Sequence, residues 1–423
     1  MKEVLENSMV RMLAAKGYCL ISYILFLGFV VPAIALIEPF WRIRIGVLKE
    51  DRIAHLAMNT DNFIRRLKLY GKPSRTTYYF LCWQPANRQL VIMWKRVLNI
   101  LENRWLRRAS LCVMPAFRKM WFFQSLDSLE TEHYEYSFGE VTLSFTPEEE
   151  ARGKAALAEM GIGPDDWFIC FHNRTADYMA KRTGMGRQSP EPSFRDCSID
   201  NYLPAAQWIA AQGGYALRFG SIVEKSLPDL GPRIIDYASK YRNDFMDIYL
   251  LAKCRFFLGS TSGPVIIPPI FNGFAGEGNH CPYESAGLGL RTLMVPKYLR
   301  RISDGKVLTF PEVFDLGLFK LHNDFTLRQR TSQGAVHEAL GLDWIENDPD
   351  DLVDLCKSLM DLVTGVPIDP MAVQLQNIYA RYYQGGPHAS PYAGRIAHHY
   401  VLRRRDMFGR DLALLKQEMT VKS

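Results

Sequence analysis

Apolar and polar positions follow two rhythms along this chain, and they divide it. Residues 18–37 (YCLISYILFLGFVVPAIALI) carry no charge, a run just long enough to cross a bilayer. Arg11 and Lys16 precede it and Trp41, Arg42 and Arg44 follow, the basic and aromatic edges of an interface anchor. Three readings compete. A membrane anchor is favoured. A cleaved signal peptide is second, with Ala33-Ile34-Ala35 as the small-x-small site, although Glu3 and Glu6 weaken the basic start it needs. A buried core helix is third. Pro32 can kink the segment, and basic residues at both ends set no orientation.

Beyond residue 40 short apolar runs alternate with helical spacing. Residues 42–48 (RIRIGVL) read as a strand, 51–70 as a helix closed by Gly71-Lys72-Pro73, 76–83 (TTYYFLCW) as a strand and 89–101 as a helix. This β-α-β-α order opens a doubly wound domain. Residues 102–145 fit no single element. Within them Arg107, Arg108, Arg118 and Lys119 stand among tryptophans and phenylalanines, a mixture suited to lipid or acceptor contact or to a solvated face over a core stripe. Thr146-Pro147-Glu148-Glu149 starts a helix that runs to about Met160 and stops at 161–164. The domain junction is placed here. The rhythm then repeats: strand 167–171 (WFICF), helix 202–212, strand 215–219 (YALRF), short strand 233–237 (RIIDY), helix 245–253 and strand 256–258. Residues 273–335 read as irregular, yet too long for an idle connection. Residues 350–364 form an amphipathic helix, and the basic stretch 389–405 is expected to cover the back of the fold.

The predicted organisation is therefore α/β: two facing Rossmann-like domains behind an N-terminal hydrophobic membrane segment. Its parts are an anchor (1–40), an N-terminal domain (41–150), a C-terminal domain (151–365) and a helical extension (366–423). The length of 423 residues supports two domains, and 48% hydrophobic with 23% charged residues describes a globular chain. A net charge of +6 suits an anionic membrane or a phosphorylated ligand and does not point to nucleic acid. The eight cysteines form no C-x-x-C pair, so zinc is not expected; several sit in apolar runs as small buried hydrophobes, which suits a reducing compartment.

The candidate chemistry gathers at strand ends of the second domain. In KCRFFLGSTSGPVIIPPIF (253–271) a short strand runs into Ser260, Thr261, Ser262 and Gly263, with Pro264 at a helix start. Strand, small-residue turn and helix start form an anion seat, although Pro268 and Pro269 limit the helix to little more than a turn. His172 and Arg174 end one strand, Arg218 and Gly220 another, Asp236 and Tyr237 a third. In an open parallel sheet such ends face one crevice. The two arginines are suited to phosphate oxygens, and Asp236 to a ribose hydroxyl or base edge. There is no G-x-x-x-x-G-K-[ST], no G-x-G-x-x-G after the first strand and no D-x-D metal seat, so a diphosphate leaving group falls to arginines and backbone N–H groups.

These residues carry a resemblance. Phe194-Arg195-Asp196 with Asn201-Tyr202, Leu217-Arg218-Phe219-Gly220, Ile235-Asp236-Tyr237 and Asp244-Phe245-Met246-Asp247, running into the 260–263 turn, resemble bacterial glycosyltransferases of surface-polysaccharide gene clusters, distantly similar to inverting GT-B (fucosyltransferase-like) enzymes. A weaker likeness starts at Ile53-Ala54-His55-Leu56-Ala57, and the whole spans most of residues 40–330. The resemblance implies a GT-B fold, a nucleotide-sugar donor bound by the C-terminal domain, a glycan or lipid-linked acceptor bound by the N-terminal domain, and neither metal nor cofactor. With the anchor it implies a place on the cytoplasmic face of the inner membrane. An inverting transfer needs a base for the acceptor hydroxyl; the candidates are His55 at the start of the first helix, Asp177 and Asp196. Residues 178–193 are polar and suit a flap over the donor. The alternatives are a nucleotide-sugar epimerase of the same architecture and a non-enzymatic envelope polysaccharide assembly protein.

Overall fold

The computed structural model describes residues 2–126, 133–175, 193–223, 225–283, 285–287, 289–317, 337, 339–383 and 395–413, with backbone alone at 2–13 and 133. It divides into two compact units, Met1–Ser128 with Thr142–Ser144, and Leu129–Val141 with Phe145–Ser423.

The first unit carries a four-stranded sheet in the order β3-β2-β1-β4, every neighbouring pair parallel. Its strands are β1 (Arg42–Val47), β2 (Thr76–Cys82), β3 (Asn99–Glu102) and β4 (Phe123–Gln124). A helix α1 covers Lys2–Leu25, widens into a π-turn at Phe26–Val30 and resumes over Val31–Ile37. The π-turn comes just before Pro32 and accommodates its missing N–H. Helices α2 (Ile53–Tyr70), α3 (Arg88–Trp94) and α4 (Arg104–Phe117) connect the strands. Two expectations are corrected. The predicted helix 89–101 stops at Trp94, and Asn99–Glu102 pairs with β2 as an edge strand. Apolar residues run through both pieces, so their spacing did not separate a two-turn helix from the strand behind it. The unassigned stretch contains α4, whose N-cap Asn103 accepts from the N–H groups of Trp105 and Leu106.

The segment Ala14–Ile37 is long and apolar enough to cross a membrane. One face packs on the unit: Phe26 and Ile34 are buried with Val113, Phe117 and Phe122. The other face leaves Leu20, Ile21, Phe29 and Leu36 exposed. Cys19 and Cys112 are joined as a disulfide between α1 and α4, where Tyr18 also donates to the Trp105 carbonyl at 2.8 Å. This bonded pair departs from the thiols of a reducing compartment that the sequence suggested; the other six cysteines are free and buried, as expected of those in apolar runs.

The second unit carries a six-stranded parallel sheet in the order β10-β9-β8-β5-β6-β7. The strands are β5 (Phe168–His172), β6 (Tyr215–Arg218), β7 (Ile234–Ile235), β8 (Phe257–Gly259), β9 (Ala275–His280) and β10 (Thr292–Pro296). The chain enters at the centre, steps outward through β6 and β7, then returns to the opposite flank of β5. That reversal makes a switch point between β5 and β8, the position where open α/β sheets bind ligands. Helix α5 (Pro147–Glu159) opens on the predicted capping box, Thr146 with Glu149. Helices α6 (Leu203–Ala211) and α7 (Asp244–Lys253) follow. After the sheet come an antiparallel pair, β11 (Tyr298–Arg301) with β12 (Leu342–Ile345), and helices α8 (Pro349–Thr364), α9 (Pro370–Arg381) and α10 (His398–Arg403).

Residues 273–335 are not irregular throughout: β9, β10 and β11 lie inside them. Strand β9 reads AGEGNH and is buried along its length without an apolar pattern. Helix α8 lies directly on it: a Cβ at Gly276 would sit 2.5 Å from Leu359 Cδ1, and one at Gly278 2.3 Å from Leu352 Cδ2. The described part of the basic C-terminal stretch is woven in rather than laid over. Ile396 bridges Met294 of β10, His398, Tyr400 and Val401 are buried, and Arg403 and Arg404 bond to Asp351 and Asp354 of α8 and to its N-cap Asp348.

Candidate functional site

Both strands flanking the switch point end in polar residues, and hydrogen bonds tie them together. Ser260, after β8, is fully buried; its N–H donates to the His172 carbonyl at 3.3 Å, and its Oγ accepts the Arg174 N–H at 3.0 Å. Ser262 Oγ donates to the Ser260 carbonyl at 2.9 Å. Thr261 Oγ1 donates to Glu277 Oε2 at 3.3 Å and accepts from the Cys281 N–H at 3.1 Å. The three hydroxyls thus brace the turn itself. What the turn leaves for a ligand is backbone: among the described residues the Thr261 and Ser262 N–H groups pair with no carbonyl. After Ser262 the chain makes a 3-10 turn at Gly263–Ile266 and one α-turn at Ile267–Ile270, as Pro268 and Pro269 require. The positive helix end expected there is correspondingly slight.

On the β5 side, Arg174 Nε lies 3.3 Å from Asp196 Oδ1, both side chains partly exposed. Asp196 also accepts from the Ser193 N–H at 2.8 Å. The buried ammonium of Lys297 donates to the carbonyls of Phe194 at 2.9 Å and Asp196 at 2.7 Å, fixing that loop. His172 Nδ1 lies 3.0 Å from the Phe219 carbonyl, which can only accept, so Nδ1 bears the proton. Burial pushes this imidazole down to about 4, with Arg218 and Arg174 acting the same way against the Phe219 carbonyl. His172 is therefore neutral at pH 7, with its Nε2 lone pair available as an acceptor rather than a cation for phosphate.

The structure thus brings together His172, Arg174, Asp196, Gly220 and residues 260–263; a Cβ at Gly220 would stand 3.6 Å from His172 Nδ1. It places three other predicted residues deeper. Arg218 is buried, donates from Nη1 to the Lys225 carbonyl at 2.5 Å and lies 3.7 Å from Asp236 Oδ2. Asp236 is buried too and accepts from the Leu227 N–H at 3.0 Å. This pair braces the segment after β6. The Tyr237 hydroxyl turns inward to Asp247 at 2.8 Å; burial, reinforced by the Asp247 carboxylate, raises its pKa. Asp177 and most of the expected flap lie outside the described residues.

Sequence reasoning missed the neighbour of this turn. Glu277, buried in β9, accepts from His280 Nδ1 at 2.9 Å as well as from Thr261. His280 Nε2 faces the Ser285 carbonyl at 3.1 Å. Burial would lower the His280 pKa, but Glu277 beside it holds it above the ordinary value. A glycine-rich hexapeptide gives no periodic signal for such a pair.

In the first unit His55 occupies the first turn of α2, half-buried, with Nδ1 unpartnered. Burial lowers its pKa, and the Lys49 and Arg52 charges add to the effect. Nearby in sequence, Glu50 accepts from the Trp83 N–H at 2.5 Å and from Arg107 Nε at 2.7 Å. Arg107 is thus turned to a carboxylate, not presented wholly to lipid. A groove of about 720 Å³ is lined by Ala35, Glu38, Arg42, Arg75 and Trp121 among others. It lies at the N-terminal ends of β1 and β2, opposite the edge where parallel sheets bind ligands, and holds none of the predicted residues.

No protein-family model and no curated protein matches the chain. Among solved structures it is similar to a glycosyl transferase family 9 protein from Veillonella parvula DSM 2008, with TM-score 0.44, 10% identity and coverage of 76% of this chain and 97% of that one. It is also similar to E. coli ADP-heptose lps heptosyltransferase II, with TM-score 0.40, 11% identity and coverage of 60% and 90%.

Proposed function

We propose that the chain is a glycosyltransferase that moves a sugar from a nucleotide-sugar donor to a glycan or lipid-linked acceptor in surface polysaccharide synthesis, held at the cytoplasmic face of the inner membrane by its N-terminal helix. The observation that carries this reading is the β5–β8 switch point, where Arg174, His172 and the backbone of the 260–263 turn stand together. The resemblance of residues 194–263 to polysaccharide glycosyltransferases points the same way.

In this reading the donor diphosphate lies against the Thr261 and Ser262 N–H groups and the Arg174 guanidinium, with His172 Nε2 accepting from a donor hydroxyl. A base removes the acceptor hydroxyl proton, the freed oxygen bonds to the anomeric carbon, and the bond to the diphosphate oxygen breaks with its electron pair leaving on the diphosphate. Donors already aimed at that oxygen stabilise its growing charge without reorganising. His55 and Asp177 remain the base candidates; Asp196, paired with Arg174, instead orients the guanidinium. The diphosphate charge is met by these groups without a metal.

The test is a thermal-shift panel of UDP, GDP, ADP, CMP and TDP on the detergent-solubilised chain. One member at a hundredfold excess over its Kd adds about 2.7 kcal/mol to the folded state. A panel in which none shifts melting refutes the donor seat. Incubation of wild type with the matching nucleotide-sugar, with and without a glycan acceptor, then reads transfer.

A further inference from the structure

Three potential ligand atoms converge in the second unit at a place the proposed reaction does not use. Asp361 lies near the end of α8, and His398 and His399 open α10. The two imidazole Nε2 atoms stand 3.0 and 2.8 Å from the same oxygen, Asp361 Oδ2, and all three ligand atoms fall within 4.8 Å of one another. Consecutive residues on a helix point about 100° apart. Two adjacent imidazoles therefore reach one point only because the carboxylate sits between their directions. His398 is buried, whereas the side chains of His399 and Asp361 are 37% and 25% exposed, which leaves one side open to solvent.

We propose that Asp361, His398 and His399 bind a zinc ion, with water in the fourth position. The set of two imidazoles and one carboxylate suits zinc and its transition-metal neighbours, not calcium or magnesium, which prefer all-oxygen shells. Zinc bonds of 2.0–2.1 Å put tetrahedral donor atoms about 3.3 Å apart. The two imidazole–carboxylate spacings need to open by a few tenths of an ångström, and the two imidazole nitrogens, within 4.8 Å of each other, need to settle at the same separation. The surroundings hold the ligands in place. The His399 N–H donates to Ser358 Oγ at 3.0 Å, and Ser358 donates to the Asp354 carbonyl at 2.8 Å. Arg403, one turn along α10, bonds to Asp354 and Asp351. The ion would fasten α10 to α8, far along the chain from residues 172–263. It is a structural staple, separate from the metal-free transfer proposed above.

The test uses the full chain in detergent with any affinity tag removed, dialysed against EDTA and then given zinc chloride. Atomic emission after desalting should find about one zinc per chain. Zinc at a hundredfold excess over its Kd should raise Tm by on the order of 5 °C, while magnesium leaves it unchanged. Asp361→Asn keeps an acceptor oxygen for both imidazole N–H groups, so a purely hydrogen-bonded trio would survive it. It should weaken zinc binding at least about tenfold. His399→Ala, at the exposed ligand, should do the same without disturbing the core. A wild type that holds less than about half an equivalent and does not respond to zinc overturns the proposal. So does zinc retained in full by both variants, which would place the ion elsewhere.

Discussion

Replacing Glu277 by glutamine should destabilise the second unit by about 3–5 kcal/mol, the usual cost of removing one partner from a buried ion pair. Glu277 and His280 are 6% and 1% exposed. Every atom facing the imidazole is an acceptor. Nδ1 meets Glu277 Oε2 at 2.9 Å and Nε2 meets the Ser285 carbonyl at 3.1 Å. Ser285 Oγ, at 3.3 Å, has already given its hydrogen to the Pro282 carbonyl. Both ring nitrogens must then carry protons, so His280 is an imidazolium. Glutamine keeps the shape and one acceptor but withdraws the charge. His280 then stays as an unpaired buried cation or loses a proton and turns a lone pair toward an acceptor.

The magnitude converts to an observable. The unit holds roughly 290 residues, and an unfolding entropy near 2.1 cal/mol/K per residue gives about 0.6 kcal/mol per degree. The expected loss is therefore roughly 5–8 °C in Tm. The pH profile distinguishes this mechanism from a general packing defect. Because the folded pKa of His280 is raised, its contribution is complete below the unfolded value near 6.5 and is lost as pH rises through the folded value. The gap between wild type and Glu277→Gln should be widest near pH 6 and narrow toward pH 9. Melting by scanning fluorimetry across that range measures it. A gap under about 1 °C at pH 6, or one that stays constant with pH, would show that the pair is not ionised.

Arg174→Ala should raise the Kd of whichever nucleoside diphosphate stabilises the wild type by about tenfold or more, the worth of a charge-assisted bond, by isothermal titration. The ligand-free protein should melt almost unchanged, because the pair with Asp196 is partly exposed. Gly278→Ala forces a Cβ to within 2.3 Å of Leu352 Cδ2 where α8 crosses β9, and should cost about 1–3 kcal/mol in a denaturant titration; an unchanged midpoint would show that α8 is not seated on the strand. His172 behaves oppositely to His280: with its pKa pushed down to about 4, its contribution is present above pH 6.5 and is lost as pH falls toward that value. His172→Gln, whose amide still donates to the Phe219 carbonyl, should flatten the decline of Tm between pH 6.5 and 4, and an identical decline refutes the assignment.

Legibility in the sequence followed how much of each signal is local. The runs TTYYFLCW and WFICF announce β2 and β5 because aromatic and β-branched residues crowd strands of a largely buried parallel sheet. The α8 pattern survives because one stripe faces the core. Strand β9 was illegible for the opposite reason: AGEGNH is a strand only because α8 comes close enough to need glycine, which is a tertiary fact. Asp361 and the two histidines lie far apart in sequence, so no spacing rule links them. In the donor seat the residue types were legible and their duties were not. Ser260 and Thr261 read as ligand donors yet hold the turn, and Arg218 reads as a phosphate clamp yet lies buried beside Asp236.

That reassignment of duties bears on how the seat could work. Lys297 holds the 194–196 loop through two carbonyls, Asp196 holds the Arg174 guanidinium, the Arg174 N–H holds Ser260, and Thr261 leans on Glu277, which is paired with His280. Five separate stretches of chain are thus tied into one frame before any ligand arrives. A diphosphate entering such a frame meets fixed N–H groups and an oriented guanidinium, so little of its binding free energy is consumed in ordering protein. The same frame sets opposite pH limits. His172 withdraws support on the acid side and His280 on the alkaline side, so the crevice should be firmest where the first is neutral and the second still charged, near pH 6.5.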